Sequence, residues 1–518
     1  MAQRIHSIEL ELGVQLYPKV PFLKSIQTKD PPPFFQHLLQ HIAQRNDLVL
    51  GINPEDQRVY LRNGACVYAD GNRNIEYSLP ECASVRETIA CEQAAGIILE
   101  QTAHELEQVI QQEYPKARVF VYKNNVARDS RGNATVSYGT HENYSLKKIG
   151  LQDSFWQQKK ALEDIITAGS HAFGSKNPQY FDNQHEAHFP YIFVNALLLP
   201  FLATRPVLCG AGAITEEEGG RYEISQRAPF MKEDISSCTT KDRGLGNIRD
   251  EDHARNYHRI HIICGDANML EYSTFLKLGT TGLLLRMIEE DALLQHTLVL
   301  HDPVTTHHDV SADTRFLNWY QVYHQGKKEY WTAIDIQMHY LTAVQDFVAK
   351  QGGSAEEQEI LAAWKHTLHA LSHDQRALIG KIDWVTKKYL LEELRERKNV
   401  LWNDSLLHNR SAQYHLLDRK LGIFHALQRK HPEWRIVPEQ DVQTFVHHPP
   451  QTRAAAREHA VKLLRANNCA LQHISWNIVQ GTCAETKTNY IFALNDPFAT
   501  QGEMFSLKEK EKKEDGKS

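Results

Sequence analysis

The sequence predicts an α+β fold, a mainly antiparallel sheet with helices packed against it, and three observations carry that prediction. Apolar and polar residues alternate with period two in several segments, the mark of half-buried strands. One long amphipathic helix, Ser84 to Glu113, lies between such segments, its apolar residues returning at Ile89, Ile97, Ile98, Leu106, Val109 and Ile110. Strands also outnumber what a simple βαβ alternation supplies, which favours α+β over a doubly wound sheet.

Arg4 to Val14 alternates strictly and reads as the first strand. Pro31-Pro-Pro33 breaks the chain before a short helix from Phe34 to Gln44. Val59 to Asp70 reads as a second strand, bent or bulged at Asn63-Gly64. After the long helix, Ala117 to Tyr122 is a strand, followed by a polar loop through Asn124-Asn125 and Arg128 to Asn133. Further strands are expected around Arg221–Arg227 and Tyr257–Cys264, and Gln337 to Lys398 reads as mainly helical. Prolines near His431-Pro432 and His448-Pro-Pro450 precede a compact αβ unit that runs to Phe498. The expected organisation is a catalytic domain over 1–430 with an insertion at 155–190, a small C-terminal domain over 431–500, and a disordered charged tail over 501–518.

Composition narrows the function. The 518 residues carry 58 Lys and Arg against 64 Asp and Glu, a net charge of −6, which gives no electrostatic case for a nucleic-acid partner. No apolar run approaches the ~18–20 residues of a membrane span, so no membrane partner is expected. The start lacks a secretory apolar core, and a cytoplasmic location follows as an expectation. None of the eight cysteines forms a Cys-x-x-Cys pair, so they read as reduced, packed thiols. No phosphate-binding Gly-x-x-x-x-Gly-Lys loop, nucleophile elbow or His-Glu-x-x-His occurs; a nucleotide, if bound, needs a sheet as its cradle.

Glu9 and Glu11 lie two apart on a strand and share a face; taken alone they read as an exposed strand surface. Tyr68 and Asp70 also share a face, and Glu76 and Glu81 follow in what reads as a polar loop. Hard oxygen ligands of this kind suit Mg²⁺, and a carboxylate left off the metal can accept a proton, although Asp70 before Gly71 also suits a simple turn. His141, Glu142 and Asn143 cluster after Gly139. Arg243, Arg249 and Arg259 could neutralise phosphate oxygens or pair with Asp242, Asp250 and Glu251.

Ser7 to Gly13, Leu61 to Ala65, Glu76 to Cys82, Lys123 to Asn125, Ser137 to Tyr144, Leu199 to Arg205, Ser225 to Arg227, Gly265 to Met269 and Lys277 to Thr281 occur in an order that resembles the Pup ligase/deamidase family. The resemblance runs over roughly residues 4–150 and 190–498. It implies a glutamine-synthetase-like curved sheet holding ATP and Mg²⁺, with a small C-terminal domain. It also implies Glu9, Tyr68 and Glu76 as Mg²⁺ ligands, Asp70 as the catalytic aspartate, and Glu11, His141 and His253 within the metal–phosphate cluster. Trp476, Arg249 and Arg259 are its candidates for nucleotide contacts. The implied partners are a small Pup-like modifier and lysine-bearing protein substrates.

Within that family, the short Leu16–Gln57 segment and the runs Leu208–Gly212, Ile382–Val385, Gly422–Phe424, Pro449–Arg453 and Asp496–Phe498 resemble the ligase branch, whereas Gly265–Asn268 and Ser273–Thr281 resemble the deamidase. The expectation is an ATP-dependent ligase joining the modifier to lysines, with a deamidase/depupylase and a nucleotide-binding pseudoenzyme scaffold as the competing readings. Cys66 and Leu79 stand where the ligase pattern has an Arg and a Thr, so those two nucleotide contacts are not implied here.

Overall fold

The computed structural model describes residues 4–18, 34–70, 74–128, 134–148, 153–175 and 188–508. Its centre is a ten-stranded sheet. The strands are β1 (His6–Tyr17), β2 (Val49–Ile52), β3 (Val59–Leu61), β4 (Cys66–Asp70), β5 (Asn74–Ser78), β6 (Arg118–Tyr122), β7 (Thr140–Lys147), β8 (Met231–Ser236), β9 (Arg243–Asn247) and β10 (Tyr257–Ile262). They run in the order β8-β9-β10-β7-β1-β5-β4-β3-β2, with β6 joining the far end of β1. Only β8 and β9 pair in parallel; the α+β expectation stands.

Strand β1 shows how alternation makes two faces. Ile8, Leu10 and Leu12 are buried with Ile75 and Tyr77 of β5 and Val67 of β4. Each such apolar side chain contributes roughly 1.5–3 kcal/mol over its exposed state. Ser7, Glu9 and Glu11 point the other way. A one-residue slip would drive both carboxylates into the core, so burial fixes the register. Helix α1 (Phe34–Ala43) and helix α2 (Val85–Gln111) pack on the apolar face, α2 capped by the Ser84 side chain, which accepts from the Glu87 N–H. Helix α3 (Asp153–Phe173) packs on a separate three-stranded sheet (Val299–Leu300, Tyr320–His324 and Lys327–Trp331), while α4 (Phe189–Thr204) and α5 (Glu271–Glu289) extend the layer on the central sheet, α4 buried along nearly its whole length.

The structure revises the element boundaries in four places. Val59–Asp70 is two paired strands, because Asn63-Gly64 reverses the chain: the Asn63 side-chain oxygen accepts from Ala65 N, and Gly64 adopts φ +86°. Glu76 lies on strand β5 and not in a loop. Arg221–Arg227 contains only a two-residue strand, Tyr222–Glu223, since the amides of Gln226 and Arg227 are taken by the Asp266 carboxylate. Residues Glu503–Lys508 of the expected disordered tail form a strand, β14, whose backbone pairs with Thr488–Ala493; residues 509–518 lie outside the described set.

The C-terminal unit consists of helix α6 (Arg453–Ala466) and strands β11 (Cys469–Ile474), β12 (Ile478–Cys483), β13 (Thr488–Ala493) and β14. It has its own core, Ala456, Ala460, Val461, Leu464, Ile474, Val479 and Phe492, which draws in Leu50, Tyr60 and Cys66 from the sheet. Helix Glu439–His447, by contrast, sinks Val442 and Val446 into the main core. The change of core therefore falls near Thr452, beyond the proline signals read at 431. The described part of the 155–190 segment is all but the first two residues of α3, the turn to Ser175 and the start of α4; Pro31-Pro-Pro33, 129–133 and 176–187 lie outside the described residues.

Candidate active site

The polar face of strands β10, β7, β1, β5 and β4 floors a cleft of about 770 Å³. Register sets the floor: Glu9 faces His141 on one side and Ser78 on the other, Glu11 faces Glu76, and Glu76 faces Tyr68. Five short strands thus place alternate side chains from distant parts of the chain on one surface.

Two groups of ligand atoms occupy that floor. In the first, Glu9, His141 and His261 each offer one atom within 4.8 Å of the others. His141 Nδ1 lies 3.3 Å from Glu9 Oε2, while Asn143 Nδ2 (3.1 Å) and Arg259 Nη2 (2.8 Å) donate to Glu9 Oε1. Burial pushes the Glu9 carboxyl up, but Arg259 and the adjacent imidazoles of His141 and His261 outweigh it and hold the group well below the usual range. Burial and Arg259 push His261 down to about 4, so its imidazole is neutral at neutral pH.

In the second group the carboxylates of Glu11, Asp70 and Glu76 crowd within the same 4.8 Å. The Tyr68 hydroxyl donates to Glu76 Oε1 at 2.7 Å. Burial and the neighbouring Glu9, Glu11 and Asp70 charges push Glu76 well above the carboxylate range; burial and Glu11 push Asp70 up, against His141 and Arg249. Like charges held this close call for a cation between them.

The C-terminal unit forms one wall through a buried ion cluster. Glu81 accepts from Arg453 Nε (2.8 Å) and from Arg457 Nη1 (2.9 Å) and Nη2 (2.7 Å). Arg457 also donates to the Trp476 carbonyl at 2.8 Å and the Gly64 carbonyl at 3.0 Å. Its guanidinium lies 4.9 Å over the Trp476 ring, which meets Tyr60 edge-on at 5.7 Å. Trp476 is thereby fixed on the cleft lining.

Glu9, Glu11, Tyr68, Asp70, Glu76, His141, Arg249, Arg259, His253 and Trp476 all line this one cavity. His253 joins neither ligand group: it stands near Arg259 and Arg453, which with burial push it down to about 4. Arg249 pairs with Glu251 at 2.5 Å, and Arg259 bridges Glu251 and Glu9. Glu81, grouped with the oxygen ligands by sequence, is consumed by its two arginines. His261 carries no sequence motif of its own, although its place on a strand two positions from Arg259 puts both on one face.

The residues suit a divalent cation and a phosphate-bearing ligand. His141 Nε2 and both ring nitrogens of His261 are buried without a hydrogen-bond partner among the described residues. Gly139 keeps the space open: a Cβ there would sit 2.2 Å from His141 Nε2 and 2.6 Å from Glu11 Oε1. Carboxylate, phenol and imidazole donors together match a hard cation that also touches phosphate.

The family model described as Pup-ligase protein matches residues 25–480. The chain is 30% identical over 508 residues to a Pup--protein ligase of Acidimicrobium ferrooxidans, covering 97% of each protein, and 31% identical over 466 residues to one of Paenarthrobacter aurescens, covering 88% of each. The ligase PafA in complex with Pup superposes with a TM-score of 0.74 at 25% identity, covering 96% of this chain and 90% of that one. PafA in complex with ADP superposes with a TM-score of 0.70 at 26% identity, over 92% and 94%. No helix among the described residues is long and apolar enough to cross a membrane. With the family match covering most of its length and relatives at 30% identity or more over most of both chains, the chain belongs to the Pup-ligase protein family.

Proposed function

We propose that the chain is an ATP-dependent ligase that joins the C-terminal glutamate of a small Pup-like modifier to lysine amines of target proteins. The observation that carries this reading is the convergence of Glu9, Glu11, Tyr68, Asp70, Glu76 and His141 on the floor of one cleft.

A carboxylate is a poor electrophile and must be activated. Transfer of the ATP γ-phosphoryl group to the glutamate side chain gives an acyl phosphate and ADP. A lysine amine then attacks the acyl carbon, forming the isopeptide bond and expelling phosphate. Lysine is mostly protonated at neutral pH, its ordinary pKa being ~10.4, so a proton must leave before or during attack. Asp70 is the group assigned to take it: it closes the carboxylate cluster, and burial with Glu11 nearby raises its basicity. Mg²⁺, held by Glu9, Tyr68 and Glu76 with Glu11 and His141 beside them, would supply charge neutralisation to the transferring phosphoryl group. Arg259 holds Glu9 ionised and oriented, and Arg249 lies on the lining beside Asp70. Trp476 offers a ring fixed by Arg457 and Tyr60 as a platform for the nucleotide base.

The test is incubation with a modifier ending in glutamate, Mg²⁺, ATP and a lysine-bearing protein. One conjugate bond per phosphate released supports the ligase. Cleavage of a ready-made conjugate without matching ATP consumption contradicts it in favour of a depupylase, and ATP binding without turnover contradicts it in favour of a scaffold.

A further inference from the structure

Arg58 stands immediately before β3, and its carbonyl accepts from Asn53 N at 2.9 Å, closing a tight loop at the cleft mouth. The β3–β4 register pairs Val59 with Val67 and Tyr60 with Cys66, so one further step sets Arg58 opposite Tyr68 on the cleft face. The guanidinium lies 4.4 Å over the Tyr68 ring. That ring is itself held, its hydroxyl bound to Glu76 at 2.7 Å and 3.3 Å from Ser78 Oγ. Stacking on an anchored ring restricts the arginine while leaving its N–H edge available.

The other cleft arginines are differently occupied. Arg259 is held by Glu9 and Glu251, Arg249 by Glu251 and Arg453 by Glu81, while Arg243 donates from Nε to the Thr239 carbonyl at 2.8 Å. Among the described residues Arg58 pairs with one carboxylate, Asp56, at 3.2 Å, and both side chains are more than a third exposed, a surface pair of small strength. On the same strand face Cys66 is fully buried and carries no charge, and Leu79 presents only an apolar side chain to the lining. Arg58 therefore brings a guanidinium to the β3–β4 side of the cleft.

We propose that Arg58 is a phosphate-binding residue for the nucleotide, positioned by Tyr68 and exchanging the weak Asp56 contact for the phosphate chain. A planar guanidinium suits this task because it meets phosphate oxygens with two parallel N–H groups. The proposal rests on the ligase reading, which places ATP in this cleft.

The test is calorimetric titration of the full chain with ATP in Mg²⁺, and with adenosine by competition, for the wild type, Arg58→Gln and Arg58→Lys. The expected result is ATP affinity weakened roughly ten-fold or more in Arg58→Gln, unchanged adenosine affinity, and partial recovery in Arg58→Lys. An unchanged melting temperature, expected of a rim residue, keeps the comparison free of unfolding. Equal ATP affinity in wild type and Arg58→Gln overturns the proposal, as does an equal loss for adenosine, which would assign the arginine to the base. A wild type that binds no ATP overturns the ligase reading itself and is distinguished by that.

Discussion

Glu76 and Glu81 are near neighbours in sequence, both almost excluded from solvent, and they titrate in opposite directions. Burial pushes both up. At Glu81 the guanidinia of Arg457 and Arg453 overcome it and hold the carboxyl at about 2. At Glu76 the neighbours are Glu9, Glu11 and Asp70, and the group stays well above the ordinary range. Equal burial with opposite partners separates a fastening from a working site: Glu81 has its countercharges inside the chain, whereas Glu76 has, among the described residues, the Tyr68 hydroxyl and no ion pair, and awaits a cation from outside.

Asp70→Asn breaks the crowded set where chemistry is assigned. Conjugation should fall by about 10²- to 10⁴-fold with the melting temperature unchanged or raised, as read by single-turnover assay and thermal melt. Glu81→Gln breaks the satisfied set. It leaves two buried arginines short of a partner and should cost about 3–5 kcal/mol of stability in denaturant titration, with residual activity following the folded fraction.

Acid titration of the metal-free protein separates the two sets by sign. The stabilisation from Glu81 is complete above its ordinary value of 4.5 and drains away as pH falls toward about 2, so Glu81→Gln should flatten that limb. Glu76 has a raised folded value, so its ionisation costs stability as pH rises past 4.5, and Glu76→Gln should flatten the limb above that point. The smallest effect is expected at Gly139→Ala, where the added carbon intrudes on His141 and Glu11. Stability should fall by about 1–3 kcal/mol, while Mg²⁺-nucleotide affinity drops measurably by calorimetry.

The working face was largely legible because it obeys short-range rules. Period two on β1 put Glu9 and Glu11 together, and the same rule put Tyr68 beside Asp70. What stayed hidden depends on distant partners. Glu81 meets Arg453 across 372 residues, so nothing near Glu81 marks it as fastened and not ligating. Asn74-Ile-Glu-Tyr-Ser78 reads as loop by sequence because it is short and follows a run of turn-forming residues, yet pairing on both edges makes β5 a central strand. Arg221–Arg227 failed in the reverse sense: Asp266, far along the chain, takes the amides a strand would have used. The last strand, β14, has exposed Met504 and Phe505 and is held by backbone pairing, a signal that alternation and composition do not carry.

The central claim is that the Glu76 cluster is destabilised until a cation with its nucleotide arrives. Thermal melts of wild type and Glu76→Gln, each in chelator and in saturating Mg²⁺-nucleotide, test it directly. The order should reverse: the variant melts higher in chelator, the wild type higher with ligand. The same order under both conditions would contradict it.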